Sequence, residues 1–214
     1  MVTFDNETAN YYTPGEFYLV RSPTVIIQGR FQPLPLTNGL GVTTEIAVGG
    51  SFLQDKTLII GTKDALFDDM PISMTFPGAF TDAQGLVKIR YDDLGEALQK
   101  GREGKQKKVL HVDLGSGPRP LVSLQINRYD EPGEGAYLNA MITMPAQQFQ
   151  DGDCGNFNGN PADDDRLQVR ARMGENGVPA SELLFKGGKT PIRRDPNKQD
   201  ISDCESALLH TATE

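Results

Sequence analysis

Apolar and polar residues alternate in short runs along most of the chain, which is the pattern of β-strands with one buried face. Glycine, proline and other turn-forming residues separate these runs. The predicted strands cover residues 15–21, 24–31, 42–48, 56–61, 71–76, 86–91, 108–114, 121–127 and 136–144. The first residues, 1–5, also read as a strand. Many short strands joined by turns predict an all-β fold, an antiparallel β-sandwich or barrel.

Helical patterns are few and short, and they suit peripheral positions. The predicted helices cover residues 93–100, 167–173 and 202–210, with Ser202 and Glu205 forming a capping box in the last. Residues 101–108 read as a charged, exposed loop. The chain has no internal repeat and no marked boundary. We expect a sandwich over residues 1–174, with a C-terminal extension, 175–214, packed on it or linked to it.

Composition narrows the functional classes. The 214 residues include 23 glycines and 14 prolines, which suits many turns. The net charge of −8 argues against nucleic-acid binding, which needs a basic surface. No apolar run reaches 18 residues, so membrane insertion is not expected. No signal peptide is visible, which indicates either a cytosolic protein or a piece of a longer precursor.

The Asn-rich loop, residues 153–165, is the strongest chemical signal in the chain. Ten of its residues, 156–165, bring together the side-chain oxygens of Asn156, Asn158, Asn160, Asp163, Asp164 and Asp165. Calcium takes six to eight such oxygens, whereas the same composition also forms ordinary surface turns. An EF-hand alignment fails, because Cys154 occupies the position of the first aspartate and Asp165 that of the final glutamate.

Catalytic motifs are absent from the sequence. It contains no Gly-x-Ser-x-Gly, His-Glu-x-x-His or phosphate-loop pattern, and its histidines are His111, within a predicted strand, and His210. The adjacent carboxylates Asp68–Asp69 and Asp92–Asp93 are expected in turns rather than as acid–base pairs. We therefore predict no enzymatic activity and assign no catalytic residue; an enzyme using these four aspartates is the weakest alternative.

Two further features depend on the compartment. Asn6-Glu7-Thr8 is an acceptor pattern for N-glycosylation at Asn6, which matters only in a secreted protein. Cys154 and Cys204 are the two cysteines of the chain. Their number allows one disulfide and equally allows two free thiols.

Two separated motifs resemble the von Willebrand factor type D (VWD) domain. The segment Thr3-Phe4-Asp5, followed by Tyr12 and by Gly-Glu-Phe-Tyr-Leu-Val at 15–20, is similar to the family's opening. The run Cys-Gly-Asn-Phe-Asn-Gly at 154–159, followed by Asp163-Asp164, resembles its best-marked motif. The two matches are in the family's order and span roughly the first 165 residues. The resemblance implies a β-sandwich, in agreement with the strand pattern, and a Ca²⁺ ion at the loop.

The resemblance also implies a set of metal ligands. Side-chain oxygens would come from Asn156, Asn158, Asp163 and Asp164, the backbone carbonyl from Asn160, and the remaining carboxylate from Asp5. The ion would then tie the N-terminal segment to the late loop and stabilise the fold. In an oxidising compartment, a Cys154–Cys204 bridge would close a loop of about 50 residues, worth roughly 4 kcal/mol in the chain-entropy model.

The chain departs from animal VWD domains, which are rich in cysteine. It resembles a cysteine-poor variant of the kind found in microbial or algal surface proteins. It begins too late to show the Gly-Asp-Pro-His self-cleavage sequence. The resemblance therefore implies a non-enzymatic, calcium-stabilised structural or adhesive module of a larger secreted, matrix, cell-surface or filament protein. Its expected partners are other modules or copies of itself. The alternative is a module that binds carbohydrate or another ligand through calcium.

Overall fold

Two antiparallel sheets form the fold, as the sequence pattern predicts. The computed structural model describes residues 1–11, 13–37, 39–73, 75–93, 108–131, 133, 135–174 and 177–185. One α-helix, α1 (Arg166–Met173), and four short 3-10 turns lie outside the sheets in this part of the chain. The all-β class, the two-sheet arrangement and the short peripheral helices are therefore confirmed.

The first sheet is a six-stranded meander in which each strand pairs with the next along the chain. Its strands are β1 (Gly15–Arg21), β2 (Ile26–Pro33), β3 (Gly41–Gly49), β4 (Leu58–Gly61), β5 (Ala65–Phe67) and β6 (Met70–Pro71). The turn at Ser22 joins β1 to β2, and the Ser22 hydroxyl accepts a hydrogen bond from the Val25 N–H at 2.9 Å. The predicted hairpin around Ser22-Pro23 is therefore present.

The second sheet has five strands in the order β11-β10-β9-β8-β7. They are β7 (Gly78–Thr81), β8 (Val87–Asp93), β9 (Lys108–Leu114), β10 (Val122–Glu131) and β11 (Gly135–Thr143). Period-two burial is clear in β10, where Leu124 and Ile126 are buried while Gln125 and Asn127 remain partly exposed. The inner faces of both sheets contribute to a single apolar core, in which Ile27 and Ile46 belong to the same cluster as Leu124.

Two strand predictions are wrong. The described residues of 72–76 form no strand; they lie between β6 in the first sheet and β7 in the second, flanked by Pro71 and Pro77, which cannot donate backbone hydrogen bonds. Residues 1–5 contain only an isolated bridge from Val2 to Thr8, and the chain turns at Asn6, whose φ is +68°. The short strands β5 and β7 were not predicted. The other predicted strands are present, those at 15–21 and 108–114 with the predicted bounds and the rest with shifted ends.

Helix predictions have mixed outcomes. The helix predicted at 167–173 is confirmed as α1. Asp93 belongs to β8 instead of opening a helix. The rest of that predicted helix, most of the charged loop, and the predicted helix at 202–210 lie outside the described residues. No helix in the described ranges is long and apolar enough to span a membrane.

Residues 177–185 pack across the outer face of the first sheet. The buried Gln28 side chain donates to the Glu182 carbonyl at 2.8 Å and accepts from the Leu184 N–H at 2.8 Å. Phe185 packs on Ala47 and Ile59, and the Arg30 guanidinium lies 4.5 Å from its ring centre. This segment therefore covers apolar surface that the meander alone would leave exposed.

Candidate metal centre

The Asn-rich loop begins as an extension of the first sheet. The Asp153 and Cys154 N–H groups donate to the carbonyls of Tyr18 and Leu19 at 2.8 and 3.0 Å. Just before them, Gly152 has a φ of +135°, and a Cβ there would lie 2.6 Å from the Leu19 carbonyl oxygen. The close approach requires glycine, so the start of the loop is fixed against β1.

Successive asparagine side chains shape the next part of the loop. The Asn156 Oδ1 accepts from the Asn158 N–H at 3.1 Å, and the Asn158 Oδ1 accepts from the Asn160 N–H at 2.7 Å. The Asn160 Oδ1 then accepts from the Ala162 N–H at 3.3 Å and caps the 3-10 turn Pro161–Asp163. These side chains take the place of backbone partners in a turning chain, which explains why asparagine occurs at every second position.

Asp5 brings the N-terminal segment onto the loop. Its carboxylate accepts the Asn158 N–H through Oδ2 and the Gly159 N–H through Oδ1, both at 3.0 Å. The ring of Phe4 stacks on Phe157 with centroids 4.9 Å apart. Asp5 is buried although it is charged. The structure thus joins two sites that are 153 residues apart in the sequence.

Asp163 and Asp164 lie across the loop from Asp5. The Asp163 Oδ2 accepts from the side-chain amides of Asn158 and Asn156 at 2.9 and 3.3 Å. These hydrogen bonds hold the pKa of Asp163 below its usual value, with Asn158 the largest cause. The Asp164 Oδ1 accepts from the Asn156 N–H at 3.1 Å. Each carboxylate thus uses one oxygen to hold the loop.

The second oxygen of each of these carboxylates is buried and has no hydrogen-bond partner in the described part of the chain: Oδ1 of Asp163 and Oδ2 of Asp164. Asp164 is fully buried. Burial raises its pKa; the Asn156 N–H and the Thr3 hydroxyl oppose the shift, and the carboxylates of Asp5 and Asp163 add to it. Buried carboxylate oxygens without partners are costly, and a cation would satisfy them.

The residue types of the loop suit a hard cation when amide and backbone oxygens are counted. No three side chains among the described aspartates, glutamates, histidines and cysteines are arranged to hold a metal by themselves. Calcium, however, takes amide and carbonyl oxygens alongside carboxylates. Asn156 and Asn158 now direct their amide nitrogens toward Asp163 and their oxygens toward backbone N–H groups. The predicted calcium ligands are thus adjacent, and their role as ligands stays a prediction.

Gly155 makes the position of Asp164 possible. Its φ is +88°, and a Cβ at this residue would lie 2.0 Å from the Asp164 Oδ2. Gly155→Ala is therefore expected to displace the carboxylate, to weaken calcium binding, and to cost at least about 1–3 kcal/mol of unfolding free energy from backbone strain alone. Calcium titration and chemical unfolding measure the two effects.

Gly159→Ala is the matched control for this change. Gly159 has a φ of +85°, yet a Cβ there would meet no atom within 4 Å. This variant should lose a similar amount of stability from strain but keep its calcium affinity. Equal calcium affinities for the two alanine variants would contradict a ligand role for Asp164.

A buried ion pair between Arg170 and Asp153 anchors the start of the loop to α1. The sequence analysis did not predict it. Arg170 of α1 donates to Asp153 from Nη1 at 2.7 Å and from Nη2 at 3.1 Å, and both side chains are buried. The guanidinium also lies 4.2 Å from the ring centre of Phe17. Burial raises the pKa of Asp153 to about 6, although Arg170 opposes the shift.

Arg172, two residues after Arg170 in α1, connects the loop to the edge of the first sheet. Its side chain donates to both oxygens of Asp151, at 2.7 and 2.9 Å, and to the Asp163 carbonyl. It also lies 3.7 Å from the Asp164 Oδ1. Asp165 caps α1 through the Gln168 N–H at 3.0 Å. The only sequence signal for Arg170 and Arg172 was their Arg-x-Arg spacing at the end of the predicted helix.

The cysteine and glycosylation predictions are untested. Cys154 is buried, and burial raises the pKa of its thiol to about 12, which disfavours a nucleophilic thiolate. It has no disulfide partner within the described ranges, and Cys204, its predicted partner, lies outside them. Asn6 is exposed, as an acceptor of glycans would have to be.

The four aspartates of the enzyme alternative are divided between the two sheets. Asp68 and Asp69 lie in the exposed turn between β5 and β6, as expected. Asp92 and Asp93 belong to β8, so the turn expected there is wrong. Asp92 pairs with Arg90, and its Oδ1 lies 3.5 Å from the His111 Nε2 on the neighbouring strand.

Comparisons with known proteins leave the family open. No model of a known protein family matches the chain, and a search of curated proteins finds no similar sequence. The resemblance to the VWD domain therefore rests on the two sequence motifs.

Proposed function

We propose that this protein is a calcium-stabilised structural or adhesive module of an extracellular assembly, similar to a cysteine-poor VWD domain. One observation carries the proposal: the buried carboxylate of Asp164 presents an oxygen without a partner to the same loop that receives Asp5 from the N-terminal segment. Ca²⁺ would be held there by Asp5, Asp163 and Asp164 with the amides of Asn156 and Asn158 and the Asn160 carbonyl.

Electrostatics support a cation at this position. Three carboxylates converge on the loop, and Asp5 and Asp163 both raise the pKa of Asp164. Among the described residues, the cation next to Asp164 is the Arg172 guanidinium. It lies 3.7 Å from the Asp164 Oδ1, beyond hydrogen-bond distance, and pairs more closely with Asp151. When bound, the ion would supply positive charge and complete the oxygen contacts. The chain's own residues position the loop, exclude water from Asp164 and fix the N-terminal segment.

A structural role is better supported than direct calcium-mediated sugar binding. A calcium ion that holds sugar hydroxyls needs an open position and a nearby exposed aromatic ring. Phe157, the aromatic residue of the loop, is instead half-buried and stacked on Phe4. This stacking favours an anchoring function for the loop. Glycan binding that disappears on chelation would favour the alternative.

Calorimetric titration tests the metal site directly. The metal-free protein is expected to bind one Ca²⁺ per chain. Asp163→Asn, which keeps the shape of the side chain and removes its charge, should weaken binding by at least about tenfold, because ligand charge tunes calcium affinity strongly. Asp69→Asn, in the exposed turn between β5 and β6, should bind as the unchanged protein does. No heat of binding, or equal affinities for both variants, would contradict the proposed site.

A further inference from the structure

We propose that the Asn-rich loop promotes a chemical reaction on itself, the deamidation of Asn158 through attack by the backbone nitrogen of Gly159. The amide side chain is converted to a carboxylate, in the form of aspartate or isoaspartate. Asparagine followed by glycine closes the intermediate ring with the least steric hindrance, because glycine has no Cβ. The reaction uses only the chain's own groups and water, so this inference goes beyond the calcium site and does not depend on it.

Ring closure joins the Gly159 nitrogen to the Asn158 Cγ, and the bond from Cγ to Nδ2 breaks. The attacking nitrogen loses its proton to a base, while the departing Nδ2 takes up a proton from water and leaves as ammonia. The base then returns its proton to the hydroxide that is left. Water opens the resulting succinimide at either carbonyl carbon, which gives aspartate or isoaspartate. No group is oxidised or reduced, and a water molecule is consumed for each ammonia released.

The Asp5 carboxylate is placed to act as this base. Its Oδ1 accepts the hydrogen bond from the Gly159 N–H at 3.0 Å, and this is the proton that the attacking nitrogen must lose. A general base must lie about 2.6–3.2 Å from the atom that it deprotonates. The Asp5 Oδ2 accepts the Asn158 N–H, also at 3.0 Å, so the carboxylate is fixed against both reacting residues.

The Asn158 side-chain amide is oriented and polarised by its hydrogen bonds. Its Oδ1 accepts from the Asn160 N–H at 2.7 Å. Negative charge develops on this oxygen as the nitrogen attacks Cγ, so the Asn160 N–H serves as an oxyanion-hole donor does. The Nδ2 donates to the Asp163 Oδ2 at 2.9 Å, which fixes the other side of the amide. The loop thus supplies a base, a nucleophile and an oxyanion donor.

Water and the closing ring both have room at this pair of residues. Asn158 and Gly159 are exposed to solvent, so water can reach the succinimide. Gly159 has a φ of +85°, and a Cβ there would meet no atom within 4 Å. The ring can therefore form without displacing a neighbouring side chain.

The neighbouring asparagines show why the reaction selects Asn158. Asn156 and Asn160 form the same kind of turn, since the Oδ1 of each accepts from the N–H two residues further on. Asn156, however, is followed by Phe157, whose Cβ crowds the closing ring. Asn160 is followed by Pro161, whose nitrogen has no proton to lose. Both asparagines are therefore internal controls for Asn158.

Peptide mass mapping of the full chain, incubated with chelator, tests the proposal. It measures the rate at which the fragment holding residue 158 gains the mass of an amide-to-acid conversion. A synthetic peptide of residues 153–165 in the same buffer gives the rate without Asp5 and without the fold. The folded chain should react at least about tenfold faster than the peptide, because a positioned base contributes about 10²–10⁴-fold. Asn156 and Asn160 should stay unmodified, and isoaspartate at residue 158 identifies the ring intermediate.

Asp5→Asn removes the base, although its amide oxygen can still accept the Gly159 N–H. This variant should slow the reaction in the folded chain by at least about tenfold. Asp165→Asn makes the same chemical change at the N-cap of α1 and should leave the rate unchanged. Gly159→Ala should slow the reaction as well, because its Cβ crowds the closing ring. Circular dichroism shows whether each variant is folded.

A rate in the folded chain no higher than in the peptide would overturn the proposal. So would a rate that Asp5→Asn leaves unchanged, or a product that contains aspartate but no isoaspartate. The comparison with the peptide needs no substitution and therefore stands even where a variant is unfolded. Calcium binding is measured separately, and a chain that reacts as expected but binds no Ca²⁺ would contradict the metal site alone.

Discussion

Calcium is expected to raise the melting temperature of the metal-free protein by about 5–11 °C when free calcium is a hundredfold above the dissociation constant. A ligand that binds only the folded state adds about 2.7 kcal/mol at that excess. In a chain of this size each kcal/mol shifts the melting temperature by about 2–4 °C. The ion would act here because it ties Asp5 to Asp163 and Asp164 across the fold. Thermal unfolding with calcium and with chelator measures the shift.

Asp164→Asn should separate the metal from the fold. The amide oxygen can still accept from the Asn156 N–H, but the buried charge is removed. Without calcium the variant should be as stable as the unchanged protein or more stable, since burial disfavours the charged carboxylate. With calcium it should lose most of the thermal shift.

Asp165→Asn is the matched control for this substitution. It makes the same chemical change at the next residue, and asparagine caps helices as well as aspartate does. The control should keep the full calcium shift. A calcium shift that survives in Asp164→Asn, or the same melting temperature with calcium and chelator in the unchanged protein, would refute the proposed site.

Arg170→Met is expected to lower the free energy of unfolding by about 3–5 kcal/mol, because it leaves the buried Asp153 carboxylate without its partner. The guanidinium contacts with the rings of Phe17 and Tyr11 are lost as well. Arg21→Met, which breaks the exposed pair with Glu182, should cost only about 0–1 kcal/mol. Chemical unfolding of both variants gives the comparison.

The loss of unfolding free energy in Arg170→Met should depend on pH. Removing the guanidinium raises the folded-state pKa of Asp153 further above its ordinary value of 3.8. A carboxyl with a raised folded-state pKa contributes stability that is complete below the unfolded-state pKa and is lost as the pH rises through the folded-state pKa. The variant should therefore be closer to the unchanged protein at about pH 5 than at about pH 8. Adding Asp153→Asn should recover part of the loss and remove this pH dependence. An equal loss at both pH values would contradict the account.

Local patterns were sufficient for most of the strands but not for the connections between them. Strands such as β10 alternate buried and exposed residues, and this period is visible in the sequence without any tertiary information. Residues 71–76 have similar β-forming composition, yet they cross between the sheets. Their composition predicts a strand, but the choice between edge strand and crossover depends on where the second sheet begins.

The candidate site was only partly visible in the sequence. The spacing of Asn156, Asn158 and Asn160 indicated an oxygen-rich turn, and the motif resemblance added Asp5. The Asp153–Arg170 pair could not be predicted, because an arginine in a short helix with no apolar stripe reads as a surface residue. Its burial depends on Tyr11 and Phe17 packing around the guanidinium, and these rings come from the other end of the chain.

The sequence by itself determined the all-β class, most strand positions, the helix α1 and the polar composition of the Asn-rich loop. These features depend on residues close together in the chain, where period and turn chemistry decide the outcome. Only the tertiary structure decided which carboxylate oxygens lack partners within the described residues, and that Arg170 is buried against Asp153. Such properties arise from contacts between distant segments, and burial determines their energetic cost.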